Sequence, residues 1–157
     1  FKTAKLFEAS CRLAGIVTGQ STDTIANLGR FGAELGSAFQ LIDDVLDYAG
    51  ESAALGKNVG DDLREGKVTL PIICALRTGS ESQRQLIRQA IEHGELAHLD
   101  DIRSIIVDTG ALKEARASAD AEAQRAIDAA KQLQDDARCR RSGGERRRHD
   151  HRFISAR

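Results

Sequence analysis

Methionine and tryptophan are absent from this sequence, tyrosine and proline occur once each (Tyr48 and Pro71), and aromatic residues make up only 4% of it. Strands draw on aromatic side chains and sheets on proline-rich turns, so this poverty favours helices. The three cysteines, Cys11, Cys74 and Cys139, are odd in number and unpatterned, which argues against a disulfide framework and for a reducing, cytoplasmic setting. Long apolar runs are missing as well. The longest, Leu70–Leu76, falls far short of the roughly 20 residues that cross a bilayer, and no leader pattern is present. With no methionine the chain has no initiator, and Phe1 opens inside a helical pattern. At 157 residues the sequence can bury one core.

What is present is helical periodicity almost throughout. Helices are expected from Lys2 to about Gly15, from about Thr24 to Glu51, over Leu70–Thr78, Gln83–His93 and Glu95–Asp108, and from Ala111 to about Ala137. The segment Gly19-Gln20-Ser21-Thr22-Asp23 offers several caps for the second of these. Pro71 is tolerable in a first turn. The pair Asp100-Asp101, flanked by His98 and Arg103, reads as a solvated face, and His93 and His98 as surface residues. There is no internal repeat.

One run stands apart: Gly36-Ser37-Ala38-Phe39-Gln40-Leu41-Ile42-Asp43-Asp44-Val45-Leu46-Asp47-Tyr48. On a helix, Gly36, Gln40, Asp43, Asp44 and Asp47 share one arc of roughly 100°, while Leu35, Phe39, Leu41, Ile42, Val45 and Leu46 take the other sides. No Lys or Arg lies on that acidic stripe. Two carboxylates about 6 Å apart at an effective dielectric near 20 repel by roughly 3 kcal/mol. A solvated face would relieve this by mixing signs; a cation relieves it directly. All-oxygen ligands one turn apart suit Mg²⁺, which is commonly completed by water and phosphate.

The stretch that follows, Gly56-Lys57-Asn58-Val59-Gly60-Asp61-Asp62-Leu63-Arg64-Glu65-Gly66-Lys67-Val68-Thr69-Leu70-Pro71, reads as a glycine-rich loop. Its lysines can swing over phosphate as point charges. Acidic helix and basic loop together make half of a diphosphate–metal site.

Three motifs in order, Lys2-Thr3-Ala4-Lys5-Leu6-Phe7, then Phe39-Gln40-x-x-Asp43-Asp44-x-x-Asp47-Tyr48, then Gly56-Lys57-Asn58-Val59-Gly60-Asp61-Asp62-Leu63-x-Glu65-Gly66-Lys67-x-Thr69-Leu70-Pro71, resemble the trans-isoprenyl diphosphate synthases, most of all their bacterial long-chain polyprenyl members. The resemblance covers about residues 1–136 and implies the C-terminal half of an all-α helical barrel around a central cavity. It implies an Mg²⁺-dependent prenyltransferase: an allylic prenyl diphosphate loses its diphosphate, and isopentenyl diphosphate attacks the cation that remains. Asp43, Asp44 and Asp47 match the second Asp-rich motif of the family, with Asp43 and Asp47 the expected Mg²⁺ ligands. Lys2 and Thr3 match its Lys-Thr pair and Gln40 its motif glutamine, all three near the reacting diphosphate. Lys57 and Lys67 match loop lysines on the allylic diphosphate. Asp62 matches an acidic loop position that holds a lysine or a metal-bound water. A homodimer, a cytoplasmic location, no nucleic-acid partner and no integral membrane association are implied too.

The family's first Asp-rich motif, D-D-x-x-D, is not in this sequence, nor is its isopentenyl-binding Gly-Lys-Arg segment. An incomplete chain, inactive alone and with apolar faces such as Leu86/Ile87/Ile91 uncovered, is therefore the expectation; a non-catalytic subunit or remnant that pairs with an active synthase is the alternative. Residues 137–157 carry eight Arg, no Lys and two acids, net +6, against net −7 for the rest. This tail has no periodicity and departs from the family's usual ending, so it reads as frameshifted or disordered; a basic arm is the other reading.

Overall fold

The computed structural model describes residues 2–49, 61–93 and 98–150. It is all-α, with no strand among the described residues: α1 (Lys2–Val17), α2 (Thr22–Ala49), α3 (Asp61–Arg64), α4 (Leu70–Thr78), α5 (Glu81–His93), α6 (Leu99–Asp108) and α7 (Ala111–Asp150). Among these residues no helix is long and apolar enough to cross a membrane. The backbone gathers into two compact units, one built from the residues up to Gly36 with those from Gln124 onward, the other from Ser37–Ala123.

In the first unit α1 lies against the opening turns of α2. Gly19 ends the approach, with φ of +65°, and the Gly19 and Gln20 N–H groups donate to the Ile16 and Gly15 carbonyls at 3.0 and 2.9 Å. That pair of bonds is the Schellman closure that a left-handed glycine permits. Ser21 then caps α2, its Oγ accepting from the Thr24 N–H at 3.3 Å. The helices meet through glycine. A Cβ added at Gly32 would lie 2.5 Å from the Phe7 carbonyl oxygen, and one at Gly36 would lie 2.7 Å from Ala4 Cα. Arg30 of α2 donates to Gln132 of α7. Small residues fill this unit (Gly15, Ala126, Ala129), while Leu6, Leu13, Ile16 and Val17 of α1 stay exposed.

The second unit owns the apolar core: Tyr48, Leu63, Ile72, Cys74, Ala75, Ile87, Ala90, Ile102, Ile105, Ile106 and Ala111. α4, α5 and α6 pack mutually, and α3 rests on α5. Pro71 sits in the first turn of α4 and is buried. Gly110, with φ of +72°, turns α6 into α7, and Arg77 of α4 pairs with Glu114 of α7.

Two expectations are corrected here. Ile87 is fully buried, and Leu86 and Ile91 pack against the same core, so this face of α5 is covered within its own unit by α4 and α6 rather than left bare. The last helix runs to Asp150, where the periodicity ended it near Ala137. Arginine is among the better helix formers, so the Arg-rich run can continue a helix without any apolar stripe to announce it. The segment read as one loop also contains a helical turn, α3. Asp100 and Asp101 are exposed, as the solvated-face reading required.

Candidate functional site

α2 is a well-patterned helix whose last three turns carry the acidic stripe. Its apolar side anchors it through Val45 and Tyr48, both 2% exposed. Holding that side fixes where the acids fall: Asp44 is 3% and Asp47 9% exposed, unusual for carboxylates. Burial of that depth demands partners.

The partners come from α3 and the turn after it. Leu63, fully buried, pins α3 into the core. Gly66, with φ of +67°, then closes α3 by a second Schellman turn: its N–H donates to the Leu63 carbonyl at 3.0 Å, and the Lys67 N–H to the Asp62 carbonyl at 2.9 Å. The chain is thereby folded back so that the Lys67 side chain passes over Asp62. Lys67 Nζ donates to both Asp62 oxygens, Oδ1 at 3.1 Å and Oδ2 at 3.0 Å, and to Asp44 Oδ1 at 3.0 Å. Asp47 Oδ2 accepts from the Asp62 N–H at 3.4 Å. One ammonium thus ties the acidic helix to the loop.

Burial pushes the Asp44 carboxyl above the usual carboxylate range; Lys67 opposes this, while the charges of Asp62 and Asp43 add to it. For Lys67 burial disfavours the charge, but the hydrogen bonds and charges of Asp44 and Asp62 outweigh it and hold the ammonium above its ordinary range. Burial likewise pushes the Tyr48 phenol up to about 12, with the Thr69 hydroxyl easing the shift and Asp47, Asp62 and Asp44 enlarging it. Among the described residues, the buried Gln40 Oε1 has no partner in hydrogen-bonding geometry.

The structure therefore brings Asp44, Asp62 and Lys67 into contact, with Asp47 beside them, and places Asp43 and Gln40 on the same helix. Lys2 and Thr3 lie on the first turn of α1, in the other unit. Lys57 lies outside the described residues. The sequence reading missed the Asp44–Lys67 contact and the burial of Tyr48 and Thr69. The signal for the first was Asp62-x-x-x-Gly66-Lys67, the pattern of a glycine-closed turn; nothing in the sequence marked the second.

Among the described residues no three acidic, histidine or cysteine side chains converge into a closed metal cage. The residues nevertheless fit Mg²⁺. That ion dehydrates reluctantly and commonly takes one or two carboxylates, with waters and phosphate oxygens for the rest. The carboxylates of Asp43, Asp44 and Asp47, all-oxygen donors on one helix stripe, would supply such a share.

Residues 1–108 match the family model described as "Polyprenyl synthetase". Octaprenyl diphosphate synthase of Haemophilus influenzae is 48% identical over 129 residues, 82% of this chain and 39% of that protein. The octaprenyl diphosphate synthase of Escherichia coli is 46% identical over 135 residues, 85% of this chain and 42% of that protein. A crystal structure of polyprenyl synthase from Caulobacter crescentus CB15, complexed with calcium and isoprenyl diphosphate, superposes with a TM-score of 0.75 at 38% identity, covering 82% of this chain and 40% of that one. This chain thus spans about two fifths of the length of the relatives it matches.

Proposed function

The chain belongs to the polyprenyl synthetase family, and on that premise we infer that it carries the second Asp-rich half-site of a prenyltransferase condensing isopentenyl diphosphate onto an allylic prenyl diphosphate. Asp43 and Asp47 would hold Mg²⁺, with Asp44 as an accessory carboxylate. When bound, the ion neutralises the charge that develops on the departing diphosphate. Lys67, Lys57 and Lys2 would meet phosphate oxygens, and Asp62 would aim Lys67. Thr3 and Gln40 would serve the same reaction as the family's motif threonine and glutamine, the one through a hydroxyl and the other through an amide. Once the diphosphate leaves, the alkene of isopentenyl diphosphate attacks the allylic cation, a proton is lost, and the chain is one C5 unit longer. In the intact protein a cytoplasmic homodimer is the accompanying expectation.

The observation that carries this reading is the Lys67 ammonium between Asp44 and Asp62, 3.0 Å from each. A cation held between buried Asp44 of the stripe and Asp62 of α3 is what a site needs that must take up a metal and a polyanion together. The Caulobacter crescentus relative, with calcium and isoprenyl diphosphate bound, supports the same pairing of hard cation and diphosphate.

The test replaces the matching segment of a full-length family member with residues 2–136 of this chain. The hybrid is supplied with farnesyl diphosphate, labelled isopentenyl diphosphate and Mg²⁺. Elongated prenyl product from the hybrid, and none above blank from the 157-residue chain alone, is the expected result. A folded hybrid that makes no product would contradict the assignment.

A further inference from the structure

Asp44 is 3% exposed and its neutralising charge is supplied by the chain itself. The Lys67 ammonium that supplies it has a side chain 39% exposed, open to solvent on one flank while its tip touches both Asp44 and Asp62. The backbone beneath is fixed, because Leu63 is buried in the core and Gly66 closes the turn. The part free to move is the four-carbon stem, a swinging point charge. A divalent cation drawing on Asp44 and an ammonium held on the same carboxylate repel each other at close range. Where one sits, the other binds less well.

We propose that Lys67 is a tethered counter-cation whose exchange from Asp44 and Asp62 to phosphate makes cation binding and diphosphate binding interdependent at this site. This rests on the reading given under Proposed function. With no ligand, Lys67 stands in for the cation on the stripe and keeps buried Asp44 from being left unpaired. A diphosphate gives the ammonium an alternative set of oxygens and so uncovers the carboxylates. No bond is made or broken; ion pairs are exchanged. By linkage, a diphosphate that tightens cation binding by some factor has its own affinity raised by the same factor. The site would then stay closed to free divalent cation and to free diphosphate, and fill when both are present.

The experiment titrates Mg²⁺ into the 157-residue chain by calorimetry, with and without inorganic pyrophosphate and with free Mg²⁺ corrected for its pyrophosphate complex. Wild type is compared with Lys67→Gln, Lys67→Arg and Asp62→Asn, all checked for equal helix content by circular dichroism. In wild type, pyrophosphate should tighten Mg²⁺ binding by about tenfold or more. Lys67→Gln should bind Mg²⁺ alone about tenfold or more tightly than wild type and gain less than about threefold from pyrophosphate. Lys67→Arg should follow wild type, and Asp62→Asn, which loosens one side of the tether, should fall between. Tighter binding of Mg²⁺ alone is the telling readout, since a residue that merely contacts phosphate would not produce it. Equal Mg²⁺ affinity of Lys67→Gln and wild type without pyrophosphate would overturn the coupling while leaving the half-site standing. Absence of Mg²⁺ binding in wild type, with or without pyrophosphate, would overturn both.

Discussion

Lys67 Nζ lies 3.0 Å from Asp44 Oδ1, joining two positions 23 residues apart in sequence. The acidic stripe of α2 has no base of its own and takes its counter-charge from the turn beyond α3 instead. Such a charge-assisted bond is stronger than a neutral one. Exposure of the Lys67 side chain, 39%, screens it and keeps its worth modest.

Lys67→Gln should therefore destabilise the ligand-free protein by about 1–2 kcal/mol, mostly by leaving Asp44 buried without its cation. Urea denaturation at neutral pH measures this, and an unchanged midpoint would show that the bridge contributes nothing to folding.

Asp44→Asn should act in the opposite sense and depend on pH. The folded Asp44 carboxyl titrates above its ordinary value because burial outweighs Lys67. The folded state then holds that proton more tightly than the unfolded state. The stability it brings is present below the unfolded pKa and is lost as pH rises through the folded one. Above the folded pKa, where wild type carries the buried charge, Asp44→Asn should be the more stable, and its advantage should shrink as pH falls through that pKa. An advantage that grows toward acid pH would reverse the assignment.

Gly66 is held at φ of +67°, and a Cβ added there would meet the Ile91 carbonyl oxygen at 3.8 Å, an ordinary contact that calls for no movement. Gly66→Ala should cost about 1 kcal/mol from backbone strain, and Gly66→Asn less, since asparagine tolerates the left-handed region. Thermal melts of the two variants check this order; equal losses would point to contact rather than backbone.

Much of this was legible in the sequence, for physical reasons that differ by element. Helix identity followed from apolar periodicity in α4, α5 and α6, where a buried face leaves its mark every three to four residues. The acids of α2 stood out because like charges share a stripe. The glycines of α1 and α2 carried no such mark. Gly32 and Gly36 matter because Phe7 and Ala4 come close, a relation invisible until the helices meet. The end of α7 was illegible for a related reason: a helix with no apolar face past Ala137 offers no period to read. Asp62-x-x-x-Gly66-Lys67 held the geometry of the Lys67 contact, but only the closed turn shows which carboxylates its side chain reaches.

At the meeting of α1 and α2, Gly32→Ala and Gly36→Ala should each destabilise the first unit by about 1–3 kcal/mol, since the obstructing atoms are backbone and the helices must separate. Gly19→Ala, where no atom lies within 4 Å of the added Cβ, should cost only the strain of its positive φ. Circular dichroism melts and limited proteolysis of α1 distinguish the two kinds of loss.

The central claim is that Asp43 and Asp47 serve a metal-bound diphosphate rather than the fold. In the full-length hybrid, Asp43→Ala and Asp47→Ala should each lower steady-state turnover of labelled isopentenyl diphosphate by at least about 10²-fold, because several kcal/mol of leaving-group stabilisation is removed. Their melting temperatures should hardly fall, and can rise as repulsion along the stripe is relieved. Turnover near that of the parent hybrid in either variant would contradict the account.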